Sequence, residues 1–466
     1  MSQVQIYDVT LRDGAQGPGV KFSSEDQLRI IRELDAFGVS YVEGGQPGSN
    51  PKAAELFRRA AEMDLRNVKM AAFGSTRHSK SAVEDDANIK ALLAAGTDVI
   101  TIFAKASKTH ATEILRVSLE ENLTIIEESV RYLKSQGRHV FLDSEHFFDG
   151  YAEDGEYALA TLERAWQAGA EVIILCETNG GRLPHEVDAM TQAVRKRLPD
   201  ATIGIHCHND SGCAVANTLA AVRAGATQIQ GTINGYGERT GNANLCTIIP
   251  NLQLKMGVNV VSQEQLGNLT HLSHVVAELA NMTPRDSDPF VGRDAFTHKG
   301  GMHADAVRKM KTSYEHVPPE SVGNRTNITV SEMSGRASLL NKAAELGVNL
   351  DRESPTTKQI LQRIKDLESE GYEFEGADAS LELLMRKAQN LYRRFFTMKK
   401  FHVYVANGHE DGDDAISEAT VKLELPDGSE QHTVSEGHGP VDALNNALRK
   451  ALDSTYPELS DVHLKD

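Results

Sequence analysis

A (β/α)8 barrel, eight parallel strands each followed by a helix, is the fold class this sequence predicts, and three observations predict it. A helix-like segment ending in a small residue and glycine recurs, each time followed at once by an apolar run. Eight strand-like runs in all start roughly thirty residues apart, and eight βα units of that size fill a barrel of about 250 residues. Polar residues able to hold a metal stand where two of those runs end. An open doubly wound sheet is the alternative, but no G-x-G-x-x-G turn follows the first run to support it.

The recurring unit reads Phe37-Gly38-Val39-Ser40-Tyr41-Val42-Glu43, and returns at Ala95-Gly96, Ala168-Gly169 and Ala224-Gly225. The glycine suits the left-handed residue that ends a helix, and the apolar run suits a strand covered on both faces. The remaining four strands are Val4–Val9, Val68–Phe73, His139–Asp143 and Thr202–His206. Between strands the apolar spacing is helical. Ser24-Glu25-Asp26-Gln27 reads as a capping box ahead of Leu28, Ile31, Leu34 and Phe37. The barrel is expected over residues 1–283.

Residues 284–400 form a second segment, a linker followed by a helical subdomain. Its first part, 284–325, carries Pro284, Pro289, Pro318 and Pro319 with no period and reads as extended and structureless, yet it contains His298-Lys299-Gly300-Gly301-Met302-His303. Residues 331–400 read as helices, Ser380–Phe396 among them. From residue 401 to 466 the pattern is β again. Strands are expected at Phe401–Ala406, Glu418–Leu425 and Ser429–Ser435, with Pro426-Asp427-Gly428 as a hairpin turn and Val441–Leu452 as an amphipathic helix.

The net charge is −17, which argues against nucleic acid as a partner, because phosphate neutralisation needs a basic face. An anionic small molecule needs a local cation or metal. The N-terminus has no basic stretch ahead of an apolar run, and no run is long enough to span a membrane. The four cysteines, Cys176, Cys207, Cys213 and Cys246, form no C-x-x-C pair, as expected of reduced thiols in a cytoplasmic protein.

In a barrel of this kind the active site lies at the C-terminal ends of the strands. The first strand runs into Arg12-Asp13, a candidate oxyanion-stabilising guanidinium beside a candidate metal carboxylate, with a solvated loop pair as the alternative. The seventh ends in His206-Cys207-His208. Two histidines two apart on a strand point to the same side and can share one metal. With Asp13 they make a two-histidine, one-carboxylate set, which leaves about three positions open in an octahedral site. A 2-oxo acid would fill two of these through its carboxylate and ketone oxygens, with water for the third. Mg, Mn, Zn and Co all suit such ligands. The fifth strand ends at Glu145, the candidate for acid–base work ahead of His146 and Asp143. The sixth ends near Thr178, a candidate donor to a substrate carboxylate with a plain structural role as its alternative. After the eighth, Gly235-Tyr236-Gly237-Glu238-Arg239-Thr240-Gly241-Asn242 lets backbone approach a ligand closely.

These motifs together resemble the DRE-TIM metallolyase superfamily, specifically the 2-isopropylmalate, homocitrate and citramalate synthases. Asp8–Gln16 is similar to its opening signature, His206–Asp210 to its His-x-His-Asn-Asp motif, and Gly237–Asn242 to its Gly-Glu-Arg-x-Gly-Asn loop. The resemblance runs from Tyr7 to about Asn324 and on into the last domain. Glu43–Lys52, Leu119–Leu123, Asp143–Tyr151 and Tyr314–Asn324 are similar to the citramalate synthase subgroup.

The resemblance implies that Asp13, His206 and His208 bind a divalent metal, with Asn242 beside it. It implies that Arg12 stabilises oxyanion character. Glu145 with His303, assisted by Tyr314, would enolise acetyl-CoA as co-substrate. The implied product is (R)-citramalate from pyruvate. A 2-isopropylmalate synthase using 2-oxoisovalerate is the rival within the family. A metal-dependent acyl-CoA lyase is a rival outside it, although no cysteine lies in Tyr236–Asn244, where such lyases carry one. The family's linker reaches over the partner's barrel, so a homodimer exchanging that segment is implied. Residues 401–466 resemble half of a regulatory, dimerisation-type domain, so either the chain is truncated or its feedback control is reduced.

Overall fold

The computed structural model describes residues 4–299, 301–328, 336–374, 377–406 and 416–462. Eight parallel strands close into a barrel: β1 (Gln5–Asp8), β2 (Tyr41–Glu43), β3 (Lys69–Ser75), β4 (Val99–Lys105), β5 (His139–Glu145), β6 (Val172–Glu177), β7 (Thr202–Cys207) and β8 (Gln228–Gly231). β1 pairs with both β2 and β8, so the sheet has no edge, and the doubly wound alternative is ruled out. All four recurring glycines end their helices in the left-handed region, Gly38 at φ 90° and Gly169 at φ 106° among them. The capping box lies one residue earlier than the sequence suggested. Ser23 accepts from the Asp26 backbone N–H, and the Asp26 carboxylate accepts from Ser23 N–H.

Two apolar layers surround the strands. Inside the barrel, Tyr7, Val9, Val99, Phe141, Val172 and Ile174 pack together beneath the strand ends. Outside, Ile6, Ile100, Val140, Ile203 and Ile229 meet the helix faces in one continuous core. Strands covered on both faces explain why the sequence shows apolar runs rather than alternation.

The chain divides into two units, Met1–Thr329 and Val330–Asp466. The segment 284–325 is not structureless. It carries a helix at Gly301–Lys309, and its short strand β9 (Thr297–His298) pairs in parallel with β10 (Asn327–Ile328), just beyond it. Phe290, Val291, Phe296, Val317 and Val322 join the barrel's outer core. Thr270 donates its hydroxyl to Val322 O (2.8 Å), and Lys255 Nζ donates to His316 O (2.5 Å). Burial spread over non-periodic positions hides such packing from any search for helix or strand spacing.

In the second unit, helices Arg336–Glu345, Pro355–Ser369 and Asp378–Ala388 bury Leu339, Ile360, Ile364, Leu381 and Met385. The last of these helices stops at Ala388 rather than Phe396, and Asn390 takes a left-handed φ of 57° just beyond it. Strands β11 (Thr397–Ala406), β12 (Ile416–Glu424) and β13 (Glu430–Gly437) form an antiparallel sheet, against which helix Pro440–Leu452 packs. No helix among the described residues is long and apolar enough to cross a membrane.

Candidate metal centre

Asp13 lies in the turn that follows β1, His206 on β7, and His208 directly after it. Barrel closure brings these ends together. One ligand atom from each of the three lies within 4.8 Å of the others, and all three residues are buried. His206 Nε2 stands 3.4 Å from His208 Nε2 and 3.5 Å from Asp13 Oδ2, and His208 Nε2 is 3.8 Å from the same oxygen.

The protonation states suit a cation. Burial pushes His206 down to about 3, against the opposing pull of Asp13, and burial lowers His208 as well. Both imidazoles are therefore neutral near pH 7 and can act as ligands. Burial works against the Asp13 carboxylate, but Arg12, His206, His208 and the Asn242 hydrogen bond outweigh it and hold Asp13 well below the usual carboxylate range.

A second ring of residues orients the first. Gln230 Nε2 donates to Asp143 Oδ1 (3.0 Å), so its oxygen is left to accept from His206 Nδ1–H at 2.9 Å. That hydrogen bond leaves the Nε2 lone pair facing the cluster. Asn242 Nδ2 donates to Asp13 Oδ1 (2.9 Å), while Asn242 Oδ1 and His208 Nδ1 are buried without a hydrogen-bond partner among the described residues. A buried orphan oxygen beside three convergent donors is what an oxygen- and nitrogen-bound divalent ion, or its water, satisfies. The residues fit such an ion.

Arg12 is tied down at two points. Its Nε donates to Glu43 and its Nη1 to Asp13 Oδ2 (2.8 Å), while the guanidinium lies 4.0 Å over the Phe73 ring. Below, the Tyr7 hydroxyl donates to Glu43 Oε2 and lies 2.7 Å from Thr101 Oγ1, which stiffens the floor. A cavity of about 250 Å3 opens above, lined by Arg12, Asp13, Phe73, Phe103, Asp143, Glu145, Cys176, Thr178, His206, His208 and Arg239 among others.

Most of the sequence candidates meet at this cavity. Glu145 ion-pairs with Lys105. Thr178 Oγ1 accepts from His146 N–H (2.8 Å), which leaves its own proton to donate. Asp143 is pushed up to about 8 by burial, with Glu43 adding to the effect. His303 and Tyr314 do not line this cavity; they stack on each other at 4.2 Å on the segment after the barrel.

Sequence reading missed Phe73, Phe103, Lys105, Glu43 and Gln230. A phenylalanine, lysine or glutamine within a strand carries no motif. Only the position at a strand's C-terminal end offered a signal, and Glu43, which ends β2, had it without a motif to single it out.

Residues 3–276 match the model of the HMGL-like family, more than half of the chain. This chain belongs to the HMGL-like family. The two later segments match family models too: residues 290–372 the homocitrate synthase post-HMGL domain-like model, and residues 375–466 the LeuA allosteric (dimerisation) domain. Relatives similar to it over its full length include (R)-citramalate synthases at about half identity and, at 33%, a probable 2-isopropylmalate synthase of Methanopyrus kandleri over 100% of this chain. The (R)-citramalate synthase of Aquifex aeolicus is 51% identical over 464 residues, covering 100% of this chain and 88% of the relative. That of Geobacter sulfurreducens is 49% identical over 466 residues, with 100% and 88% covered. Among solved structures, the hydroxymethylglutaryl-CoA lyase of Pseudomonas aeruginosa superposes with a TM-score of 0.51 at 20% identity, over 60% of this chain and 94% of that one. The likeness to the lyase is one of fold.

Proposed function

We propose that this HMGL-like chain is an acyltransferase that condenses acetyl-CoA with pyruvate to give (R)-citramalate and free CoA. The observation that carries the reading is identity of about half over the full length with (R)-citramalate synthases, joined to a buried Asp13, His206 and His208 cluster.

Asp13, His206 and His208 would hold a divalent cation, which would supply Lewis acidity to a ketone oxygen and a counter-charge to the adjacent carboxylate. Asn242 holds the Asp13 carboxylate in place through its N–H. The Thr178 hydroxyl donates to the substrate carboxylate. Glu145 removes a methyl proton from acetyl-CoA, with His303 and Tyr314 of a partner chain as the companion acid–base pair. The methyl carbon bonds to the ketone carbon of pyruvate. Arg12 Nη2 faces the alkoxide that forms, which then takes a proton. Water finally cleaves the thioester, releasing CoA and a carboxylate. Phe73 and Phe103, stacked at 5.5 Å, wall the cavity and favour a methyl side chain on the 2-oxo acid over an isopropyl group.

The chain works as a homodimer in a reducing, cytoplasmic compartment, with the part of the linker that carries His303 and Tyr314 reaching over the partner's barrel and 401–466 serving dimerisation. A LeuA dimerisation-type segment and four free cysteines support this.

The test is thiol release across 2-oxo acids, with and without chelator. The expected result is turnover with pyruvate at least about tenfold more efficient than with 2-oxoisovalerate, a size consistent with what extra methyl groups cost in a fitted pocket. Chelator is expected to abolish it. Turnover with 2-oxoisovalerate alone would identify a 2-isopropylmalate synthase instead.

A further inference from the structure

Tyr314 and His303 are both exposed, yet the residues at their base are not. Glu315, next to Tyr314, is 6% exposed. Its Oε1 accepts from the Thr326 hydroxyl (2.6 Å) and lies 3.5 Å from His298 Nε2. Glu315 Oε2 and His298 Nε2 are buried without a hydrogen-bond partner among the described residues. The pairing of β9 with β10 sets Ile328 beside His298 and so brings the Thr326 end of the chain up to Glu315. The His298 ring stands edge-on to Tyr314 at 6.5 Å, and Tyr314 stacks on His303 at 4.2 Å. A chain of four side chains thus runs outward from a buried carboxylate to an exposed imidazole.

Burying a carboxylate and an imidazole with incomplete hydrogen bonding costs stability, and an apolar pair would fill the same space without that cost. An exposed His–Tyr pair, in turn, has many rotamers unless its base is held. We propose that Glu315, acting through His298, is a positioning residue that sets the His303–Tyr314 pair for proton transfer. The proposal rests on the reading above that His303 and Tyr314 carry the acid–base chemistry.

The experiment compares wild type, Glu315→Gln, His303→Ala and the double variant as full chains, with Mn2+ as the metal. Glu315→Gln keeps the volume and the oxygen that accepts from Thr326, so the fold is retained; a melt followed by circular dichroism gives the folded fraction. Expected for Glu315→Gln is a fall in kcat of about tenfold or more, the scale of a misplaced catalytic group, with KM for pyruvate changed by less than about twofold. A limb of its pH–rate profile is expected to move. In the double variant Glu315→Gln is expected to add nothing to His303→Ala, since residues acting as a unit are not additive.

Wild-type kcat and pH profile in Glu315→Gln, beside an impaired His303→Ala, would overturn the positioning role alone. Losses that multiply in the double variant, or that track the folded fraction, would overturn it as well. Wild-type kcat in His303→Ala would bring down the reading of His303 and this proposal with it.

Discussion

Glu177, at the end of β6, is buried, and among the described residues only one of its carboxylate oxygens has a hydrogen-bond partner, Gly181 N–H at 3.2 Å. Burial pushes it up to about 7, with the backbone N–H groups of Gly181 and Arg182 opposing. The folded chain therefore holds this proton more tightly than the unfolded chain does. Its contribution to stability is full below the unfolded pKa, near 4.5, and is lost as pH rises through about 7. Glutamine at this position is neutral at every pH. The stability difference in favour of Glu177→Gln is thus expected to grow from pH 4.5 to about 7 and then level off. At about 1.4 kcal/mol per pKa unit its ceiling is roughly 3 kcal/mol. Denaturant titrations of both proteins across that range measure it, and a constant difference would mean that Glu177 does not titrate in the folded chain. The same residue-by-residue chemistry decided what the sequence could reveal. His206 and His208 were legible because alternate strand residues share a face and few structural reasons place two histidines there. Gln230 and Phe73 were not, because they meet His206 and Arg12 only once the barrel has closed.

At the scale of elements, the loop Gly235–Asn242 shows how backbone conformation serves the ligands. Gly241 has a φ of 96°, and a Cβ there would stand 2.1 Å from Gly235 O. The next residue is Asn242, whose N–H donates to that same carbonyl (3.0 Å) and whose side chain holds Asp13. Gly241→Ala is expected to displace Asn242 and weaken divalent-metal binding by about tenfold, while the strain costs roughly 1–3 kcal/mol and leaves the barrel folded. Calorimetric titration with Mn2+ and a circular dichroism spectrum check both parts. Unchanged affinity would show that the loop does not orient Asp13. Elements differed in how well the sequence announced them. The barrel strands stood out because they are apolar runs buried on both faces, and four of them follow a glycine-ended helix. The segment 284–325 did not, because Phe290, Phe296, Val317 and Val322 are anchored one by one rather than along a helix face or strand. Helix Asp378–Ala388 was drawn too long because Leu391, Tyr392 and Phe395, though apolar, are exposed and do not continue its buried face.

For the whole molecule, the proposed chemistry needs His303 and Tyr314 at the cavity above Asp13. His303 and Tyr314 belong to the same unit as the barrel, but neither lines the cavity above Asp13. Strand β11 leaves Phe401, Tyr404 and Val405 exposed, apolar surface of the kind that association covers, within the segment matching a dimerisation domain. If the segment crosses to a partner, each site combines one chain's His206 with the other chain's His303. Alone, His206→Ala is expected to be inactive and His303→Ala to keep only a small residual activity. Mixed after reversible dissociation, half of the random dimers carry both kinds of chain. Each such dimer has one site in which both histidines are intact and one in which neither is. About a quarter of wild-type activity is therefore expected in the mixture, by the symmetry of a two-fold dimer. Activity that stays at the level of the separate variants, with mixed dimers verified by tagged pull-down, would place His303 and His206 of each site on the same chain.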